Sequence, residues 1–164
     1  MCKLLCHLPI MAFAFIAAGG QAQAADPTDG ARAFQPCAAC HLATGKGVPG
    51  LAPSLRDRLA KVPSTQKGRD YLIMAVQKGL FGSLRADGLT FNGLMPPQGA
   101  VLGDAGTATV LNYVLVKLNG ADKIAGWRPF TGDEVAAVKK RYPAATAATV
   151  LGMRRLVPSL GGAP

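Results

Sequence analysis

Apolar residues fall along this chain in runs of different kinds, and each kind predicts a different element. The first is nearly continuous from Leu4 to Ala18, preceded by Lys3 and followed by Ala22-Gln23-Ala24. That is the charge, apolar core and small-residue site of a secretory leader, with cleavage expected after Ala24. The run is short for a membrane span, contains His7 and Pro9, and gives way to Asp26-Pro27-Thr28-Asp29, so a cleaved leader is expected rather than an anchor. Asp29 to Phe34 reads as a short helix entered from Asp26-Pro27-Thr28, after which Pro36 brings the chain to Cys37. From His41 to about residue 66 the chain is rich in Gly and Pro without sustained periodicity, which predicts a long structured loop. Tyr71 to Val76 is a continuous apolar run between Lys67-Gly68-Arg69-Asp70 and Gln77-Lys78-Gly79. It predicts a buried helix over residues 69–78 with Gly79 as a left-handed terminator, since no alternation and no hairpin partner favour a strand.

Residues 80–103 form a second Gly-rich and Pro-rich stretch, read as loop, yet it holds Phe81, Leu84, Leu89, Phe91, Leu94, Met95, Val101 and Leu102. A loop this apolar needs something to bury against. Asp104 can cap the next helix, whose stripe Val110, Leu111, Val114, Leu115 and Leu118 ends at Asn119-Gly120. Thr131-Gly132-Asp133-Glu134 has a capping-box pattern for a helix to about Arg141; Tyr142-Pro143 breaks it, and Thr146 to Leu156 can form one more. The expected organisation is a leader over 1–24, one domain over 25–121, and a helical extension over 122–164. No repeat and no second membrane-spanning segment is read from the sequence.

Charge changes the picture locally. The chain has 18 Lys and Arg against 9 Asp and Glu, and only Lys3 would leave with the leader. Arg56, Arg58, Lys61, Lys67 and Arg69 face Asp57 alone within residues 56–69, while the rest of residues 25–121 is balanced. This segment is a candidate docking surface for an acidic protein partner, with a plain solvated face as the alternative. No nucleic-acid partner is expected.

Loss of the leader removes Cys2, Cys6 and His7, leaving Cys37, Cys40 and His41 together in Cys37-Ala38-Ala39-Cys40-His41. This C-x-x-C-H pattern is that of covalent c-type haem attachment. Two thiols three residues apart can each form a thioether to one edge of the porphyrin, and the adjacent His41 then lies under the iron. A thioredoxin-like dithiol would want a βαβ context that the chain lacks, and a zinc site wants four ligands where two Cys and one His are at hand. Met74, Met95 and Met153 are candidates for the sixth iron position. Met95 is chosen, because Asn92-Gly93-Leu94-Met95-Pro96-Pro97 offers Gly93 for close backbone approach and prolines that stiffen the loop. Met74 reads as core and Met153 as an ordinary helix residue. Trp127 reads as a contact to the haem edge or an anchor for the tail.

Taken together these residues resemble the class I cytochrome c family over most of residues 27–120. Gly30 and Phe34 resemble that family's helix-crossing pair, meeting Val110 and Tyr113. Pro53-Ser54-Leu55 resembles its P-x-L segment, which implies that the Pro53 carbonyl accepts the His41 Nδ1 hydrogen. Tyr71 to Gly79 and Asn92 to Gly99 resemble the middle helix and ligand loop of bacterial cytochrome subunits that serve periplasmic dehydrogenases, with Phe91 where a Tyr is expected. The resemblance implies an all-α cytochrome c fold of three main helices around one covalent haem c, with His41 and Met95 as axial ligands. The expected function is that of a periplasmic one-electron carrier and not an enzyme, working between a dehydrogenase donor and an oxidase or other acceptor. A fixed subunit of an oxidoreductase complex is the alternative. A haem enzyme or gas sensor in which Met95 detaches is disfavoured by the single histidine and the lack of further acid/base groups. Because every haem-binding residue precedes Ala121, the extension is expected to be dispensable for attachment.

Overall fold

The computed structural model describes residues 27–160; the leader reading, with Cys2, Cys6 and His7, lies outside them. The first helix, α1 (Pro27–His41), does not stop at Phe34 but runs through Pro36 into the cysteine motif. Proline is tolerated because the carbonyl one turn back belongs to exposed Arg32, where water can replace the missing N–H donor. The helix ends as Leu42 takes φ 61°, a left-handed position usually given to glycine.

A loop with one short 3-10 turn (Val62–Ser64) leads to α2 (Gln66–Lys78), which starts three residues before the expected boundary. Thr65 caps it, its side chain accepting from Gly68 N–H. Gly79 follows with φ 73° and ψ −172°, a positive-φ turn into a strand.

The stretch read as loop is in fact an antiparallel hairpin, β1 (Leu80–Ala86) and β2 (Leu89–Met95), in register from Leu80 opposite Met95 to Ala86 opposite Leu89. Asp87 and Gly88 both have positive φ, 53° and 75°, which makes the two-residue turn that matches strand twist. The long helix α3 (Gly99–Lys117) begins ahead of Asp104 and is broken at Gly103, with φ 63° and ψ −168°. Asp104 therefore sits just past the break, and its carboxylate accepts from Lys139 Nζ at 2.7 Å. By length and composition α3 could cross a membrane, contrary to the sequence reading. In this fold its Thr107, Ala108, Val110, Leu111, Val114 and Leu115 are buried in the core.

The helices α1 and α3 cross where an added Cβ on Gly30 would lie 2.8 Å from Tyr113 Cβ, and the Phe34 and Tyr113 rings sit 5.5 Å apart. The remaining helices are α4 (Gly132–Arg141), capped by Thr131, and α5 (Ala147–Arg154), capped by Thr146. The fold is thus predominantly α-helical, with one hairpin inserted. The segment after Ala121 is not a separate layer. Phe130, Val135, Val138, Val150, Val157 and Leu160 join the same buried cluster as Ile73, Met74 and Leu115.

Consecutive charges on α2 fasten that segment. Arg69, 2% exposed, bonds both Glu134 oxygens at 2.6 and 2.5 Å, donates to the Arg128 and Pro129 carbonyls, and lies 3.8 Å over the Phe130 ring. Asp70, 3% exposed, accepts from Gln66 at 2.8 Å, Arg141 at 2.5 Å and the Tyr142 hydroxyl at 2.9 Å. Each buried charge is therefore compensated, which is what permits its burial.

Candidate functional site

The last turn of α1 carries Cys37 and Cys40 three residues apart, with His41 four beyond Cys37, so all three share one face. That face lines a cavity of about 220 Å³. This exceeds the ~150 Å³ of an apolar cavity that already admits a benzene ring, so it is more than a packing defect. Its walls are largely apolar, from Phe34, Leu55, Leu72, Phe91, Val110 and Leu111.

His41 is buried, and its Nδ1 lies 2.9 Å from the Pro53 carbonyl oxygen. A carbonyl only accepts, so Nδ1 carries the hydrogen and Nε2 keeps a free lone pair. The loop that delivers Pro53 folds back on the helix end: Gly47 N–H donates to the His41 carbonyl at 2.9 Å and Leu55 N–H to that of Gly45 at 2.8 Å. Gly47, at φ 72°, packs so closely on Ala52 and Pro53 that a side chain there would strike their carbonyls. Asn119 pins the far end, accepting from Arg58 and Leu59 N–H at 3.0 and 2.8 Å and donating to the Leu55 and Val114 carbonyls. Burial pushes the His41 imidazole below its ordinary value, opposed by the Pro53 contact, and pushes the Cys37 thiol up.

Met95 reaches the same cavity from the end of β2. Met74 is fully buried in the core and Met153 packs at its margin; neither lines the cavity. The glycine that packs against Met95 is Gly79, whose added Cβ would strike the Met95 carbonyl. Gly93 instead lines the cavity with nothing within 4 Å of an added Cβ, an open cradle that a planar ring could approach. Trp127 does not line the cavity; its ring sits 6.4 Å from that of Phe130.

Five polar side chains at the cavity were not singled out from the sequence as site residues: Ser54, Arg58, Tyr71, Gln98 and Arg154. Arg58 Nε lies 3.6 Å from Asp87 at the hairpin turn, and Arg154 donates to the Arg85 carbonyl at 2.9 Å. Burial pushes the Arg154 guanidinium down from its ordinary value, with Arg58 adding to it while Tyr71 and Asp87 oppose. Burial pushes the Tyr71 phenol up against the pull of Arg154 and Arg58.

The basic segment Arg56 to Arg69 does not present five free cations. Arg69 is buried on Glu134, Arg58 turns to the cavity, and Arg56 lies 3.8 Å from Asp57; Lys61 and Lys67 are exposed.

The family model for cytochrome c matches residues 27–116. The chain belongs to the cytochrome c family. Two proteins of Thermus thermophilus, each named cytochrome c-552, are similar to it. One is 37% identical over 128 residues, 78% of this chain and 84% of the relative; the other is 37% identical over 113 residues, 69% and 86%. Membership supports an electron-carrier role for this cytochrome and implies a covalent haem c. The residues at the cavity fit such a group: two thiols and an imidazole with a free Nε2 on one helix face, a thioether, apolar walls and the open cradle at Gly93. Among the described residues no three His, Cys, Asp or Glu converge as a metal site without it.

Proposed function

We propose that this cytochrome is a periplasmic one-electron carrier with a single haem c, attached through Cys37 and Cys40 and ligated by His41 and Met95. When bound, the haem would supply the ferric/ferrous couple. The observation that carries the reading is one apolar cavity lined by Cys37, Cys40, His41 and Met95 together.

The chain's own residues do the rest. Pro53 holds the His41 ring by Nδ1 and so aims Nε2 at a fixed point, as outer hydrogen bonds do for ligating imidazoles. Met95 offers a soft thioether, which favours the reduced state. The packed walls keep water out and so keep charge rearrangement small when the electron moves. Leu51 and Leu94, 64% and 63% exposed, edge the cavity and give a partner an apolar surface to touch. Lys61 and Lys67 supply exposed positive charge for encounter with an acidic partner.

Spectroscopy of the exported protein tests the assignment. Haem should stay on the chain after acid-acetone extraction, and the ferric form should show the weak near-infrared sulfur-to-iron band. Met95→Ala should lose that band, and its survival there would refute the ligand set.

A further inference from the structure

The run Met95-Pro96-Pro97-Gln98 carries the chain from the end of β2 to the start of α3. Pro96 and Pro97 are exposed and have no N–H, so neither burial nor their own amides hold this run in place. The end of α2 holds it instead. The Val76 carbonyl, left without a helical partner because α2 stops at Lys78, accepts from Gln98 N–H at 2.9 Å. Gly79 packs against the Met95 carbonyl and both prolines, and Gly99 packs so closely on Gln77 that an added Cβ would strike its Oε1.

Gln77 is 7% exposed and does not line the cavity. Its Nε2 donates to the Thr107 hydroxyl at 2.7 Å, and that buried hydroxyl donates in turn to the Gly103 carbonyl at 2.7 Å. Gly103 is the positive-φ break in α3. The two bonds therefore tie the last turn of α2 to both sides of that break. A buried amide joined in this way cannot turn aside without stranding a donor.

We propose that Gln77 and Thr107 are positioning residues for Met95. Their hydrogen bond fixes the start of α3 on the end of α2, and the run between β2 and α3 is held taut so that the thioether stays on the iron. Gln77 acts through its neighbour Val76 and the bonded Gln98, both of which line the cavity. The inference rests on the haem reading above.

Imidazole is the probe, since it reaches the ferric iron only where Met95 has withdrawn, and loss of the near-infrared band reports the displacement. Haem-loaded wild type is compared with Gln77→Leu, Thr107→Val, Thr107→Ser and, as a control, Asn112→Ala, which breaks two hydrogen bonds to the Phe130 backbone instead. Gln77→Leu and Thr107→Val should raise imidazole affinity about tenfold, the order expected when one buried hydrogen bond holds the closed population. Thr107→Ser keeps the hydroxyl and should bind as wild type does. Asn112→Ala should lower the urea midpoint and leave the affinity unchanged. An unchanged affinity in Gln77→Leu or Thr107→Val overturns the inference, as does a Ser variant as open as Val or a control whose affinity rises as far. If Gln77→Leu does not fold, Thr107→Val decides alone. A near-infrared band that survives Met95→Ala would defeat the ligand assignment itself, an outcome seen with Gln77 and Thr107 untouched and so distinct from indifferent variants.

Discussion

At the scale of single residues, the site depends on positions where one atom more would collide. Gly79 has φ 73° and sits against the Met95 carbonyl. Gly79→Ala should therefore destabilise the protein by about 1–3 kcal/mol in urea unfolding and weaken the near-infrared band by displacing the end of β2. Tyr142 gives a pH-dependent case. Its hydrogen bond to Asp70 raises the phenol above its ordinary value. The folded state then keeps a proton that the unfolded state releases, so this stabilisation is whole below pH ~10 and declines as pH rises towards the folded value. Tyr142→Phe should cost about 1 kcal/mol at neutral pH, with the gap to wild type closing in alkali. The motif residues were legible because their chemistry is written in local spacing. Gly79 was legible as a positive-φ helix terminator, but its contact with the Met95 carbonyl was not, nor were the bonds of Asn119, because each partner lies far away in sequence.

Among the elements, the hairpin shows what the hydrophobic pattern left unread. Its glycines hid the alternation, but Asp87-Gly88 between apolar runs is a hairpin-turn signal in its own right. The helices were found because caps and stripes mark them, and Thr131 does accept from Glu134 N–H. The Glu134 side chain, however, turns to Arg69 instead of completing the box. That exchange couples α4 to α2. Glu134→Gln leaves a buried guanidinium without its counter-charge and should cost about 3–5 kcal/mol, seen as a lower urea midpoint with an unchanged slope. The inversion of the charge order, Arg69-Asp70 on α2 against Glu134 and Arg141 on α4, fixes which way α4 docks.

For the whole molecule, the expectation that residues after Ala121 are dispensable does not fit the shared core. Phe130, Val135, Val138, Val150, Val157 and Leu160 bury side chains whose loss sums to on the order of 10 kcal/mol, comparable with the about 5–15 kcal/mol that stabilises a whole domain. A chain ending at Ala121 should therefore yield little soluble haem protein, measured by haem stain of the soluble fraction. The partner surface belongs to this scale too. With Arg69 internal, Lys61→Glu and Lys67→Glu should slow electron transfer to an acidic partner several-fold at low salt, and the difference should vanish as ionic strength rises. A last consequence concerns time. The wall bearing His41 closes within a dozen residues, at Pro53, whereas Arg154 meets Arg85 across 69 and Tyr142 meets Asp70 across 72. Contacts so distant in sequence form late. The side of the wall that bears the thiols is thus fixed by neighbours close in sequence, and the C-terminal helices complete the far side only once the whole chain has been drawn together.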